Sequence, residues 1–286
     1  MAILKKIIKI FFGKLFSGEQ LTKNLVGNLF GVQPIRYLIG KFLYNIKYFF
    51  ILKKNRDLDQ FGYIVIENFL SENEFLKIRE EYNSVIENKN FSLKYNDYGE
   101  GVEAHHVYLD ENIKSKYPSL YNFYKNDKIS DLFIKSELKN KINIIAKIER
   151  IKSKSNQYDD KVKTFHYDTY FNTFKAWFYL SDVSIDDGPL VFVQESHKFS
   201  FSRLFNEWIT SVKYSLSKDK ENWFGYGVDK KNVDYFNQIA KKMIFKKNTL
   251  IFANTLALHR RGEAKPGTIR ETIHFYSREN PFKILF

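Results

Sequence analysis

The stretch AWFYLSDVSIDDGPLVFVQESHK, residues 176–198, decides the fold. Two short runs rich in β-branched and aromatic residues, 176–180 and 190–193, flank the turn Asp186-Asp187-Gly188-Pro189. Strands this short with breakers between them read as antiparallel β structure. Similar runs occur at 142–151, 249–253 and 272–276, the last two separated by Lys265-Pro266-Gly267. Many short strands with turn signals predict a mainly β chain with a jelly-roll or barrel core. N-terminal to them, 57–60 is a short polar joint and 61–69 (FGYIVIENF) reads as a strand. Ser71, with Glu74 three positions on, forms a capping box that opens a helix through Phe75, Ile78, Tyr82 and Ile86. Residues 88–130 read as polar loop, and 199–242 as a long insertion with helical stretches, Trp208 and Trp223.

The chain has 286 residues, 44% of them hydrophobic, which supports a packed core and excludes wholesale disorder. It contains no cysteine, so a disulfide scaffold, a thiolate metal site and a cysteine nucleophile are excluded. Net charge is +13, but residues 1–54 hold ten Lys and Arg against the single acid Glu19, leaving +4 for the rest. The globular part is therefore not marked as a nucleic-acid binder. In 1–16 (MAILKKIIKIFFGKLF), Ile3, Leu4, Ile7, Ile8, Phe11 and Leu15 share one helical face, with Lys5, Lys6 and Lys9 opposite. Residues 36–52 repeat the theme. Neither segment reaches the roughly 20 apolar residues of a membrane span, and lysines interrupt any signal-peptide core. Such helices either lie on an anionic membrane surface or pack their apolar faces on the domain.

His166-Tyr167-Asp168 carries the chemistry. In a strand, i and i+2 face one side, so an imidazole and a carboxylate can meet one ion. His259, ending the run LIFANTLALH, would complete a two-His, one-carboxylate facial triad, a ligand set suited to Fe(II) with coordination positions left open. Arg270, eleven residues later, has a fork that matches a carboxylate, and Thr272 faces the same side. Together they form a seat for the far end of a dicarboxylic cosubstrate. His197 is expected as a structural turn residue, His274 as a satisfied core histidine, and His105 and His106 as surface residues. The tryptophans Trp177, Trp208 and Trp223 are expected in core or lid packing.

The segments 61–81, HYD (166–168), 176–198 and 248–278 resemble the phytanoyl-CoA dioxygenase-like branch of the Fe(II)/2-oxoglutarate-dependent oxygenases. The likeness covers roughly 57–286, matching 88–140 and 199–242 poorly. It implies a double-stranded β-helix, a cupin-like jelly roll, here with flanking helices and N-terminal amphipathic helices. It implies iron on His166, Asp168 and His259, and 2-oxoglutarate salt-bridged by Arg270, with O2 as co-reactant. Related halogenases lack the carboxylate, so Asp168 implies hydroxylation, with release of succinate and CO2. The chain departs from the family at Gln194-Glu195, where Pro-Gly is usual, and at Arg261 and Ala264 beyond the distal histidine. The expected organisation is a basic arm over 1–56 and a dioxygenase domain over 57–286, with 199–242 as its lid. The expected partners are a small-molecule or lipid-linked substrate and an anionic membrane met through 1–54. The expected place is cytoplasmic, at the membrane periphery. The alternative is a non-catalytic membrane-associated binding protein that kept the barrel.

Overall fold

The computed structural model describes residues 23–49, 56–88, 93–95, 101–138, 141–155, 163–217 and 233–277. The expectation for 1–16 and the placement of Trp223 lie outside these residues.

In chain order, the N-terminal helices are α1 (Leu25–Leu29), α2 (Val32–Phe49) and α3 (Arg56–Phe61). Strand β1 (Tyr63–Ile66) and helix α4 (Glu72–Glu87) follow, then β2 (Leu93–Tyr95) and β3 (Val102–Leu109). A 3-10 turn (Glu111–Ile113) leads to α5 (Pro118–Tyr124), α6 (Asp127–Glu137), β4 (Ile145–Ser153), β5 (Phe174–Tyr179) and β6 (Leu190–Phe192). The remaining elements are α7 (Phe201–Leu216), α8 (Val233–Ile239), β7 (Lys241–Met243), β8 (Thr249–Asn254), β9 (His259–Arg261) and β10 (Ile269–Tyr276).

Seven antiparallel strands form one sheet in the order β1-β8-β5-β10-β4-β3-β2, and β7-β6-β9 form a second. The large sheet has two chemically distinct faces because side chains alternate along each strand. Ala176 and Phe178 of β5, Leu250 and Phe252 of β8 and Ile273 and Phe275 of β10 pack on Phe75 and Ile78 of α4, Phe123 of α5 and Phe133 of α6. Phe123 and Phe178 rings meet at 4.6 Å. Each such Phe, Leu or Ile side chain contributes about 1.5–3 kcal/mol by leaving water. On the opposite face Tyr63, Tyr179 and Ile251 pack against Leu190, Phe192 and Met243 of the small sheet. This face also carries charge, and it is where the site lies.

The capping box forms as read: the Ser71 hydroxyl accepts from the Glu74 amide, and the Glu74 carboxylate accepts from the Ser71 amide. Val85 is buried in the last turn of α4, and Ile86 is only half-buried. Three expectations are corrected. The joint at 57–60 is helical, within α3, and the strand after it is confined to β1. The stretch 88–130 contains β3, α5 and the start of α6. In β3 the inward positions are Val102, Ala104 and His106, so a polar residue breaks the apolar alternation that signals a strand.

The third correction concerns α2. Its buried residues are Val32, Gln33, Arg36, Tyr37 and Gly40, and its outward face is apolar. The helix therefore meets the domain through a mixed face, where Tyr37, Ile39 and Leu43 pack beside Gln33 and Arg36, and it turns a second apolar stripe outward. Among the described residues no helix is long and apolar enough to cross a membrane.

Candidate metal centre

β9 pairs with β6, setting His259 opposite Phe192. On its other side His259 forms an antiparallel bridge with His166, amide to carbonyl in both directions at 3.0 and 3.1 Å. Residues directly opposite in such a pair project to the same face. The two imidazoles accordingly stand side by side, with ring centroids 4.5 Å apart. Two residues on, the Asp168 amide donates to the Thr255 carbonyl at 3.0 Å, which returns the Asp168 side chain to the same side.

Asp168 Oδ1 lies 3.9 Å from His166 Nε2 and 3.8 Å from His259 Nε2. These separations are too long for hydrogen bonds. The three donor atoms lie within 4.8 Å of one another and face a shared point. The tautomers agree with that geometry. His166 Nδ1 sits 2.7 Å from the Thr164 carbonyl and His259 Nδ1 sits 2.9 Å from the Ala257 carbonyl. A carbonyl only accepts, so each Nδ1 carries the proton and each Nε2 presents a lone pair. Burial pushes the His166 imidazole down to about 3, His259 adding to the effect and Asp168 opposing it. Burial lowers His259 too, with Asp168 opposing. Both rings are therefore neutral ligands at neutral pH. Burial alone would raise the Asp168 carboxyl, but the Lys175 ammonium beside it holds it well below the usual carboxylate range. Two neutral imidazoles and one carboxylate on one face fit Fe(II).

Lys175 is a member of the site that the sequence reading missed. Its Nζ lies 2.6 Å from Asp168 Oδ2, the oxygen turned away from the histidines. The signal was present: in β5 the inward positions are Lys175, Trp177 and Tyr179, and a lysine on a core-facing strand position needs a partner. Lys175→Met frees the carboxylate to rotate, and the expected result is a roughly 10–100-fold loss of Mn(II) affinity by titration. A purely structural lysine would lower the melting temperature and leave that affinity unchanged.

The inward face of β10 carries Arg270, Thr272 and His274. Arg270 Nη1 donates to the Gly188 carbonyl. Gly188 turns at φ +66, a conformation that side chains other than glycine rarely adopt. Thr272 is fully buried and sits between Glu149 of β4 and Tyr179 of β5. Burial pushes the Tyr179 phenol up to about 12, with Arg270 opposing, so phenol and guanidinium are neighbours. At the other end of this row His274 stacks on Trp177 at 5.3 Å. Burial drives His274 well below the usual histidine range, Lys175 adding to it and Glu149 opposing.

Two histidine expectations are corrected. Neither ring nitrogen of His274 has a hydrogen-bond partner among the described residues, so it is not a satisfied core histidine. His106 is buried rather than on the surface, 3.1 Å from Glu149, which Lys147 also pairs at 3.1 Å. His105 is half-buried and pairs with Glu103 at 2.9 Å. His197 keeps its structural part, its Nε2 donating to the Asp59 carbonyl at 3.1 Å. Trp208 is 39% exposed rather than packed in the core.

Residues 58–222 match the family model for phytanoyl-CoA dioxygenase (PhyH). The chain belongs to the phytanoyl-CoA dioxygenase family. It is accordingly an Fe/2-oxoglutarate-dependent enzyme. No curated protein matches it in sequence. Among solved structures it is similar to SnoN, the non-heme α-ketoglutarate-dependent epimerase from nogalamycin biosynthesis. That match has TM-score 0.53 and 14% identity, covering 77% of this chain and 80% of SnoN. It is similar also to SnoK, the carbocyclase from the same biosynthesis, with TM-score 0.51, 18% identity and coverage of 77% and 81%. EctD from S. alaskensis, solved with 2-oxoglutarate and 5-hydroxyectoine, gives TM-score 0.51, 12% identity and coverage of 77% and 73%. At these identities the likeness shows the fold, the cupin-like jelly roll of PhyH-like enzymes.

Proposed function

We propose that this phytanoyl-CoA dioxygenase family member is a hydroxylase. It acts on an unactivated C–H bond of a small or lipid-linked substrate and releases succinate and CO2. The observation that carries the reading is the Asp168 carboxylate. One oxygen is aimed with the two histidine Nε2 atoms at a shared point, and the other is held by Lys175.

His166 Nε2, Asp168 Oδ1 and His259 Nε2 are the proposed iron ligands. Iron with 2-oxoglutarate supplies the oxidising power for O2-dependent C–H oxidation. The chain's own groups hold and orient. The carbonyls of Thr164 and Ala257 lock the two imidazoles, and Lys175 locks the carboxylate. Phe165, Val193 and Leu258, all buried, exclude water from one side. Arg270 anchors the far carboxylate of 2-oxoglutarate by exchanging the Gly188 carbonyl for it, and Thr272 borders the seat. Residues 57–286 form the catalytic unit, with 199–242 as its lid. Residues 1–56 form an arm that meets an anionic membrane through 1–54, at the cytoplasmic periphery.

Arg270→Ala tests the cosubstrate seat. A lost charge-assisted hydrogen bond is worth about 1.5–3 kcal/mol, so the 2-oxoglutarate requirement is expected to rise roughly 10–100-fold, with metal affinity unchanged. An unchanged 2-oxoglutarate requirement removes Arg270 from this part.

A further inference from the structure

Three helices on one side of the barrel bury polar groups and turn an apolar stripe outward. α7 buries Arg203, Glu207, Thr210 and Ser211 and exposes Phe201, Phe205, Trp208 and Leu216. α2 buries Gln33 and Arg36 beside Val32, Tyr37 and Gly40, and exposes Ile35, Leu38, Phe42, Ile46 and Phe49. α1 buries Asn28 and exposes Val26 and Leu29, with Phe30 at its end. The spacings of three and four residues put each apolar set on one helical face. Phe30, Phe42 and Phe201 are 81%, 64% and 80% exposed. A helix on a water-facing surface carries the opposite pattern.

The buried polar groups satisfy one another between the helices. Asn28 Nδ2 donates to the Ser211 carbonyl and the Ser215 hydroxyl, at 3.1 and 2.7 Å. Gln33 Nε2 donates to Glu207 at 2.9 Å, and Arg203 pairs with Glu207 at 2.6 Å. Hydrogen bonds between helices, with apolar groups outside, are the arrangement of helices that face hydrocarbon. The outward faces adjoin: α1 and α2 both pack on α7, and the Trp208 indole donates to the Leu29 carbonyl at 3.2 Å.

We propose that the outer face of α1, α2 and α7 is a docking surface for an anionic lipid bilayer. Charge selects this occupant. α1 and α2 contain no acid, and the one acid of α7, Glu207, is buried against Arg203. Lys23 and Lys213 are exposed beside the face, and residues 1–54 carry a net +9. A symmetric contact with a second copy would set lysines against lysines with no acid to meet them. Apolar area with flanking lysines is the chemistry of an interfacial helix on anionic head groups. The proposal rests on the membrane contact read for 1–54 and deepens it, adding a defined surface and a helix from the 199–242 insertion. The same layer grips the metal-site loop: the Arg203 guanidinium lies 3.2 Å over the ring of Tyr167, between His166 and Asp168.

The chain lacks cysteine, so Phe42→Cys and Phe205→Cys each give one labelling site in the full-length protein. Without vesicles both thiols are expected to label rapidly. With phosphatidylglycerol-containing vesicles a polarity-sensitive label at either site shifts to the blue, and with pure phosphatidylcholine it does not. The Phe42→Asp/Phe205→Asp variant is expected to keep its melting temperature and Mn(II) affinity and to lose at least about tenfold in vesicle affinity. Slow labelling without vesicles overturns the proposal: the face is then covered, by a second copy if the rate depends on concentration and by residues 1–22 if it does not. Flotation that survives the double Asp variant but is lost in Lys5→Gln/Lys6→Gln/Lys9→Gln/Lys14→Gln also overturns it, leaving the contact of the basic arm standing. Absence of flotation removes both. Mn(II) affinity reports the metal-site reading separately.

Discussion

Asp168→Ala is expected to abolish Fe(II) binding and turnover, and to do so more completely than His166→Ala. Either change removes one of three proposed ligands, so the loss exceeds the roughly 10–100-fold that supporting residues carry. Asp168→Ala does more. The Lys175 ammonium, 2.6 Å from the lost oxygen, then faces the site unneutralised and repels a divalent cation. Breaking a largely buried pair also costs about 3–5 kcal/mol, because it leaves one charge uncompensated. Adding Lys175→Met to Asp168→Ala is therefore expected to recover much of the stability and none of the metal affinity. Isothermal titration with Mn(II), alongside urea unfolding of the metal-free variants, reads both. Wild-type metal affinity in Asp168→Ala contradicts the assignment.

Acidification below about pH 6.5 is expected to destabilise the metal-free protein steeply before its carboxylates protonate. Burial holds His166 at about 3 and His197 at about 4, with His259 and Lys41 respectively adding to the effect. Burial also lowers His259 and His274. In the unfolded chain each imidazole titrates near 6.5, so below that pH the unfolded state binds more protons. Stability is full above pH 6.5 and falls as pH drops toward the folded values. Each such histidine loses up to about 1.4 kcal/mol per pH unit. His166 and His197 together approach about 4 kcal/mol by pH 5, a large part of the stability of a typical domain, and His259 and His274 act in the same direction. Asp168 and Glu149 have lowered values, so their contribution is present above the ordinary carboxylate range and is lost only below it. Melting temperatures of the metal-free protein between pH 8 and 5 should fall steeply, and bound metal should move the fall to lower pH because it competes with protons for His166 and His259. A flat profile would show that these imidazoles are not buried as neutral groups.

The parts of the site that the sequence made legible are local. His166 and Asp168 are two residues apart, and that spacing survives into the structure as a shared face. His259 follows an apolar run that becomes β8, and its place beside His166 rests on a backbone bridge 93 residues away in sequence. The capping box at Ser71 was legible because both partners lie within one turn. Contacts across the barrel were not. Lys175, Glu149, Lys147 and His106 occupy inward strand positions, where charge normally argues against burial. Their partners come from other strands, and no single-strand pattern reveals them. The same polar inward residues hid β3. In α2 and α7 the helical period was legible, but a moment gives an axis and not a direction. Only the hydrogen bonds of Asn28 and Gln33 to α7, and the Arg203–Glu207 pair within it, show which polar groups turn inward.

The central claim is that His166, Asp168 and His259 hold iron in a geometry that accepts 2-oxoglutarate. Adding Fe(II) and 2-oxoglutarate to the purified protein without oxygen tests it and needs no knowledge of the substrate. The account predicts the weak visible charge-transfer band of the iron–2-oxoglutarate chelate, lost in His166→Ala of unchanged far-ultraviolet circular dichroism. Well-folded wild-type protein without the band, or a band that persists in His166→Ala, would contradict it.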